Sequence, residues 1–279
     1  MNCTPFYAKT LSSIVEFKGI GIHSGKPVRL RCIPSDDIDK GLYVVRTDQD
    51  NQELHIRVDN FSDTHRASIF SNGITEFHTP EHLLSACHGL GITHARFEID
   101  GLECPILDGS SKDFVNGFLN AGFDIFKHHV RPITLNKPIL IKDQKSYMMA
   151  VPDTAFKISY ILDYPHHFIS QQAFYFDVYH DNYAEMIAPA RTYGFYEEIK
   201  ELYDQNLAKG GSLDNAVVIG KENYMNELRF SDELVRHKIL DIIGDLWVLQ
   251  RPLHMHIFAL SSGHAMNRKL AKLLAQSVI

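Results

Sequence analysis

The sequence predicts an α+β fold built from two similar halves, and three observations carry that prediction. Segments of strand character follow one another in series, where a doubly wound fold would alternate strand and helix. Each half closes on the same order of elements: helix, strand, turn, helix. Glycine and proline turns separate the elements, and no low-complexity linker divides the halves.

The first half opens with "KTLSSIVEFKGIGIHSGKPVRLRCIPS", which alternates around Val15, Phe17 and Ile20, then Val28, Leu30 and Cys32. That pattern reads as two strands joined by the glycine-rich turn "GIGIHSGK". "GLYVVRTD" and "LHIRVDN" are further strands. "TPEHLLSACHGLG" carries helix signals at both ends: Thr79 as N-cap, Pro80 at the first helical position, Glu81 in the first turn, and Gly89 and Gly91 as the stop. A strand "HARFEIDG", a turn "PILDGS" and a helix "SKDFVNGFLNAGF" complete this half.

In the second half "ITLNKPILIKD", "SYMMAVPD" and "FKISYILDY" read as strands. An irregular middle holds the helix "FYEEIKELYDQN" and the turn "AKGGSLDNAVVIG". The helix "VRHKILDIIGDLW" (235–247), a strand "LHMHIFAL", a turn "SSGH" and a helix "AMNRKLAKLLAQ" follow. "LDGSSKDFVNGFLNAG" therefore stands where "SSGHAMNRKLAKLLAQ" stands. The correspondence indicates an internal duplication, with a boundary near "FDIFKHHVRP" (123–132).

A chain of 279 residues, 44% hydrophobic, can bury a core of one or two domains. A net charge of −6 and a pI near 6.2 give no general basic field, which argues against nucleic acid as the main partner. The N-terminus has no apolar run of signal-peptide length, and no run approaches the ~18 apolar residues of a membrane span. The expectation is a cytoplasmic protein with no membrane span. Cys3, Cys32, Cys87 and Cys104 are scattered with no CxxC pair, as for thiols in a reducing compartment. The 16 histidines are many, and most must be ordinary surface or core residues.

"VRHKILDIIGDLW" is apolar enough to be buried, yet it holds His237, Lys238, Asp241 and Asp245. His237 and Asp241 lie one turn apart on one helix face, and Asp245 extends the stripe. Two readings stand for this helix alone. One is a buried His–Asp ion pair at a domain interface; the other is a pair of ligands for a divalent metal, whose charge offsets the cost of a buried carboxylate. "TPEHLL" offers His82 as a third ligand, with Glu81 beside it as a general base for an activated water. The plainer reading makes Glu81 a partner of the helix N-terminus and His82 a core residue.

"HTPEH" (78–82) also matches the H-x-x-E-H pattern of inverted zinc proteases. Pro80 at the helix start leaves His78 off the required face. His264, in "SSGH", is either a surface residue or an acid near a site, with Asp245 orienting it and raising its pKa. Thr192 in "ARTYGF" and His23 in "GIGIHSG" are weak signals when taken singly. His254 and His256 alternate on one strand face with no acidic partner in register.

Together these segments resemble the UDP-3-O-acyl-N-acetylglucosamine deacetylases, zinc enzymes of lipid A (lipopolysaccharide) synthesis in Gram-negative bacteria. The matching segments are "GIGIHSGK", "TPEHLL", "GLGITHARFEIDG", "PILDGSS", "ARTYGF", "GGSLDNAVVIG", "LRFSDELVRHKILDIIGDL" and "SGHAMNRKL". They keep the family's order from residue 19 to residue 270. The resemblance implies two similar α+β domains, 1–127 and 128–279, each a small sheet with paired helices, the helices sandwiched between the two sheets. It implies an insert near 52–78, and a second near 191–221 that forms a hydrophobic passage for an acyl chain.

By the same resemblance His82, His237 and Asp241 hold one catalytic Zn²⁺ per chain, a site that Fe²⁺ can also serve in the cell. Glu81 matches the general base and His264 the general acid, with Asp245 as its partner. Lys238 and Thr192 match the groups that stabilise the oxyanion. His23, Tyr193, Asp163, Tyr164, Gly211 and Ser212 are expected to bind substrate. The implied reaction removes the acetyl group from UDP-3-O-(3-hydroxyacyl)-N-acetylglucosamine and releases acetate, in a cytoplasmic monomer. Two departures stand out: Pro80 replaces an apolar residue, and Tyr193 replaces a phenylalanine. The basic residue that the family uses near the diphosphate has no clear counterpart. The chain ends nearly flush with its last helix, so any degradation tag is expected to be absent or very short.

Two rival classes remain at this point. A non-catalytic scaffold would use the polar helix as an interface ion pair. A 2-His-1-carboxylate iron oxygenase would need iron, and it fits poorly a His–Asp pair on one helix beside an adjacent Glu–His.

Overall fold

The computed structural model describes residues 6–62, 67–205 and 207–277; Cys3, part of the 52–78 stretch, Asn206 and the last two residues lie outside it. The chain opens with β1 (Tyr7–Leu11), β2 (Val15–Ile20), β3 (Pro27–Ile33), β4 (Leu42–Arg46) and β5 (Gln52–His55). A short 3-10 turn leads to β6 (Phe61–Ser62), β7 (Ile69–Ser71) and β8 (Glu76–His78), which pair as a small sheet. Then come α1 (Glu81–Leu90), β9 (Ala95–Ile99), α2 (Lys112–Ala121) and β10 (Phe123–His129). The second series is β11 (Ile133–Thr134), β12 (Ile139–Asp143), β13 (Ser146–Pro152), β14 (Phe156–Leu162) and β15 (Gln172–Asp177). Next are α3 (Tyr183–Met186), β16 (Tyr193–Phe195), α4 (Tyr196–Asp204) and β17 (Val217–Ile219). The chain finishes with α5 (Glu233–Leu246), β18 (Leu253–Leu260) and α6 (His264–Ser277).

The fold is mixed α+β with several sheets. Its two larger sheets have the orders β2-β3-β9-β4-β5 and β12-β13-β18-β14-β15. In both, the last strand enters the middle, antiparallel to the neighbour on one side and parallel to the neighbour on the other. Alternation puts Leu30, Cys32, Val44 and Phe97 of the first sheet into the core, and Met148, Ile158, Tyr160 and Ile257 of the second. Outward on the first sheet, Arg31 and Arg96 both pair with Glu98.

The helices pack on the sheets and on one another. α2 packs on β2 and on α1, α5 packs on β14 and β15, α6 packs on β12 and α5, and α1 crosses α5. Gly244 makes that crossing close, because a Cβ there would overlap the Glu81 carbonyl oxygen, which is fixed backbone. α1 stops where glycine was expected to stop it. Gly91 takes a left-handed φ of 71°, and the N–H groups of Gly91 and Ile92 satisfy the carbonyls of His88 and Cys87.

Several elements differ from the sequence reading. Thr79 does not cap α1: it sits at φ 54° with its hydroxyl donated to Glu103 Oε1 at 3.2 Å, and Pro80 takes the cap position. The stretch read as a boundary is β10, paired antiparallel with β1. Neither strand of that ribbon was read from the sequence; on β10 most side chains are exposed and no apolar face alternates. β15 was hidden in the "irregular middle"; its buried residues are Gln172, whose Oε1 accepts the Val235 N–H, Phe176 and Asp177. Cys32, Cys87 and Cys104 are buried free thiols, as their spacing suggested.

Candidate active site

The α1–α5 crossing brings the expected ligands together. Among the described residues one group of His, Cys, Asp or Glu side chains could hold an ion: His82, His237 and Asp241, with ligand atoms all within 4.8 Å of one another. His82 comes from the first turn of α1 and the other two from the middle of α5. All three are buried.

The protonation of this group can be worked out from its hydrogen bonds. His237 Nδ1 lies 3.0 Å from the Ala190 carbonyl, which can only accept, so Nδ1 carries the proton. Burial, the largest influence, disfavours charge on this ring, so Nε2 is a bare lone pair. That lone pair faces Asp241 Oδ1 at 3.3 Å, and Oδ1 is buried with no hydrogen-bond donor. Two acceptors at this range repel unless positive charge lies between them. Donors about 2.0–2.1 Å from one tetrahedral ion are roughly 3.4 Å apart, so the pair has the spacing that an ion would need.

The other ionisation states agree. Burial, followed by the neighbouring His237, pushes the His82 imidazole down to about 3. Burial opposes ionisation of Asp241, but Lys238 and then His237 and His264 outweigh it and hold the carboxyl well below the usual range. The set is two neutral imidazoles and one carboxylate, the donor chemistry of a divalent transition-metal site. The Ala190 carbonyl fixes the His237 tautomer, as outer partners of metal-bound histidines do.

Glu81 precedes His82 and is buried, with Oε2 accepting no hydrogen bond. Burial above all, then Asp245 and Asp241, raises its carboxyl to about 8. Opposite stands His264, at the first position of α6, with Nδ1 donating to Asp245 Oδ2 at 2.8 Å and Nε2 3.8 Å from Asp241 Oδ2. Burial disfavours the imidazolium, but Asp245 and then Asp241 overcome this and lift it to about 10. Asp245 is fully buried and further tied by the Ser68 hydroxyl at 2.5 Å and by Asn267 Nδ2 at 2.7 Å. Sequence reasoning missed Ser68 and Asn267. They lie 177 and 22 residues from Asp245, and no local pattern links them.

Lys238 Nζ donates to Asp241 Oδ2 at 2.8 Å and stands 5.3 Å from the Tyr193 ring centre. The site opens into a cavity of about 820 Å³ lined by Glu81, His82, Thr192, Lys238, Asp241 and His264, among others. Thr192 is held by its backbone, its N–H on the Gly109 carbonyl at 2.7 Å and its own carbonyl on the Val217 N–H at 2.8 Å. Tyr164 and Tyr193 join hydroxyl to hydroxyl at 2.8 Å on the same wall.

His23, Gly211 and Ser212 line the cavity as well. The turns that carry them pack backbone to backbone, Gly210 N–H on the Ile22 carbonyl at 2.9 Å and Lys209 N–H on the His23 carbonyl at 3.2 Å. Glu103 anchors the first of these turns by accepting the N–H groups of His23 and Ser24. Of the expected site residues, Asp163 and Asp245 are not on the cavity wall: Asp245 is buried behind His264, and Asp163 is exposed, with its backbone tied to Ser261. His78 of the protease-like motif lies on β8, off α1, with Nε2 2.8 Å from Glu76 Oε2. Among the described residues no helix is long and apolar enough to cross a membrane.

Comparison with known proteins places the chain in a family. Residues 8–276 match the family LpxC, UDP-3-O-acyl N-acetylglycosamine deacetylase. A protein of Leptospira biflexa named UDP-3-O-acyl-N-acetylglucosamine deacetylase is 38% identical over 277 residues, 99% of this chain and 92% of its own length. Proteins of the same name from Syntrophus aciditrophicus and Thermodesulfovibrio yellowstonii are 34% and 38% identical, covering 97% and 92% of this chain and 87% and 88% of their own lengths. The chain belongs to the UDP-3-O-acyl N-acetylglycosamine deacetylase family.

Proposed function

We propose that this protein is a zinc-dependent hydrolase that removes the N-acetyl group from UDP-3-O-(3-hydroxyacyl)-N-acetylglucosamine and releases acetate, in lipid A biosynthesis. The observation that carries the reading is the bare His237 Nε2 set 3.3 Å from the donor-less Asp241 Oδ1, with His82 beside them. An interface ion pair, the scaffold alternative, would need a second proton on Nε2 beside the one Nδ1 gives the Ala190 carbonyl, and burial disfavours that charged ring.

His82, His237 and Asp241 would hold the ion. When bound, zinc supplies Lewis-acid chemistry, polarising an amide carbonyl and making water easier to deprotonate. Glu81 takes the proton from the attacking water. Burial lifts its carboxyl to about 8, and it works as a base at neutral pH once positive charge at the three ligands offsets that burial. The carbonyl oxygen becomes negative as the water adds. Lys238, whose ammonium keeps two N–H donors beyond the one on Asp241, and the Thr192 hydroxyl stabilise it there. His264 gives its Nε2 proton to the departing amine, while Asp245 keeps the Nδ1 proton and the ring orientation. The imidazolium is lifted to about 10, so the acid is loaded at neutral pH.

The apolar arm of the cavity, walled by Phe195, Ile199, Leu202, Leu213, Val218 and Met225, suits an acyl chain. It is built from β16, α4 and β17, within 191–221, and from Met225 just beyond. Tyr164, Tyr193, His23, Gly211 and Ser212 would contact the nucleotide sugar, and Asp163 would reach it only from outside the wall. We read the two matching sheets as an internal duplication into 1–127 and 128–279, a division that falls within β10, in a protein that acts as a cytoplasmic monomer.

Zinc content and acetate release, measured together on wild type and His237→Ala, test the reading. About one zinc per chain with turnover is expected of the wild type, and loss of both from the variant. A wild type that neither binds zinc nor releases acetate would sink it.

A further inference from the structure

Glu233 begins α5, one turn before His237, and has no accessible surface. No motif or charge pattern singled it out. Its carboxylate takes four donors: Arg191 N–H at 3.0 Å and Arg191 Nε at 2.9 Å on Oε1, with Arg191 Nη2 at 3.2 Å and Arg229 N–H at 2.6 Å on Oε2. Arg229 in turn sends its guanidinium to Asp108 Oδ2 at 2.9 Å and to the Pro189 carbonyl at 2.8 Å. The next residue after Asp108 is Gly109, whose carbonyl holds the Thr192 N–H at 2.7 Å.

The contacts close a ring: Glu233, Arg191, Thr192, Gly109, Asp108, Arg229 and back to Glu233. Two of its members, Arg191 and Thr192, belong to the tripeptide Ala190–Arg191–Thr192. Its first residue offers the carbonyl that fixes the His237 tautomer, its second is gripped by Glu233, and its third lines the cavity beside His82 and Asp241. A buried carboxylate is costly unless fully compensated, so four donors on one side chain imply that the geometry they fix matters.

We propose that Glu233 is a positioning residue of the metal site: through Arg191 it sets the Ala190 carbonyl against His237 Nδ1 and holds Thr192 at the cavity wall. The proposal rests on the zinc reading above. Glu233→Gln keeps the shape but turns an NH₂ toward a donor, so one edge of the clamp is lost. The segment 190–192 is then free to shift along α5, and His237 loses its fixed tautomer.

The test is zinc affinity by competition with a chromophoric chelator, alongside steady-state kinetics at saturating zinc. Glu233→Gln is expected to bind zinc about 10–100-fold more weakly, the usual effect of removing an outer partner of a ligating histidine. Zinc-loaded, it should lose kcat with KM little changed, because Thr192 serves the charged intermediate and the cavity walls remain. Val235→Ala controls for lost stability: it trims a buried apolar side chain of the same helix turn and should leave zinc affinity unchanged. Arg191→Lys, which keeps the charge but loses the two-pronged grip, reads the same clamp if Glu233→Gln does not fold. A folded Glu233→Gln or Arg191→Lys with wild-type zinc affinity would overturn the proposal, as would equal weakening by Val235→Ala. Either result leaves the zinc reading standing if the wild type binds its ion. A wild type without zinc affinity removes both.

Discussion

α1 and α5 lie against each other at the centre of the molecule, both buried, yet they carry charge in different ways. α1 keeps its polar pair, Glu81 and His82, in its first turn, and the rest of its buried face is apolar except for Ser85 and His88. α5 carries His237, Lys238, Asp241 and Asp245 through its middle, and each has a partner from outside its own turn or along it: Ala190, Asp241, Lys238, and the set Ser68, His264 and Asn267. The ionisable group with an unpartnered oxygen on α1 is Glu81. Charge on α5 is thus partnered except at Asp241 Oδ1, the oxygen that faces the bare His237 Nε2, while on α1 it is Glu81 Oε2 that has no partner. A group whose proton must move is better left without fixed partners, whereas ligands need them.

That contrast has a direct test. Losing a ligand from α5 should have the largest effect of any single change in the helices. His237→Ala should lose stoichiometric zinc and cut turnover by at least about 10²-fold, the scale of one strong electrostatic contributor. Glu81→Gln should instead keep its zinc while turnover falls about 10²–10⁴-fold, the range for a lost general base. Metal analysis beside single-turnover rates separates the two. If Glu81→Gln also lost zinc, the division of labour between the helices would be wrong.

Much of this contrast was legible in the sequence. The i,i+4 spacing of His237 and Asp241 put both on one face, and the Thr-Pro-Glu-His order placed Glu81 and His82 at a helix start. Helical geometry alone dictates those relations. What could not be read was everything set by tertiary approach. Ser68 and Asn267 on Asp245, the Ala190 carbonyl on His237, and the four donors on Glu233 join residues that share no local pattern. The same holds for the fold. Most of the long strands with a buried apolar face announced themselves, whereas the short β1, β7 and β8, and β10 with hardly any buried face, did not.

His88, near the other end of α1, sharpens the comparison by its response to pH. Its ring lies between Trp247 and Phe156, with Nδ1 2.8 Å from the Ile243 carbonyl and Nε2 buried without a partner. Burial pushes its pKa down to about 4, from an unfolded value near 6.5. Because the folded pKa is depressed, the unfolded chain binds the proton first as pH falls. The contribution is therefore present above pH 6.5 and lost progressively toward pH 4, by roughly 3 kcal/mol in total. Urea midpoints at pH 7 and pH 4.5, in excess chelator, should converge in His88→Phe relative to wild type. His264 has the opposite sign: lifted to about 10, it adds stability below pH 6.5 that disappears as pH rises through 10. An unchanged acid slope in His88→Phe would place the loss in other groups.

The smallest expected change bears on the crossing itself. Gly244 faces the Glu81 carbonyl so closely that a methyl group cannot fit, and the obstacle is backbone within a helix, which cannot rotate aside. Gly89, on α1, also faces a crowded site, but there the obstacle is the Tyr183 ring, a side chain held through its hydroxyl to Ser85. Overpacking of this kind costs about 1–3 kcal/mol, with the larger part expected where the neighbour cannot move. Gly244→Ala should therefore destabilise more than Gly89→Ala, even though alanine favours a helix at both positions. It should also separate α1 from α5 where His82 must meet His237 and Asp241, so its zinc affinity should fall while that of Gly89→Ala holds. Equal zinc affinity in the two variants would mean that the ligands tolerate a wider crossing, and that the glycine on α5 serves packing alone.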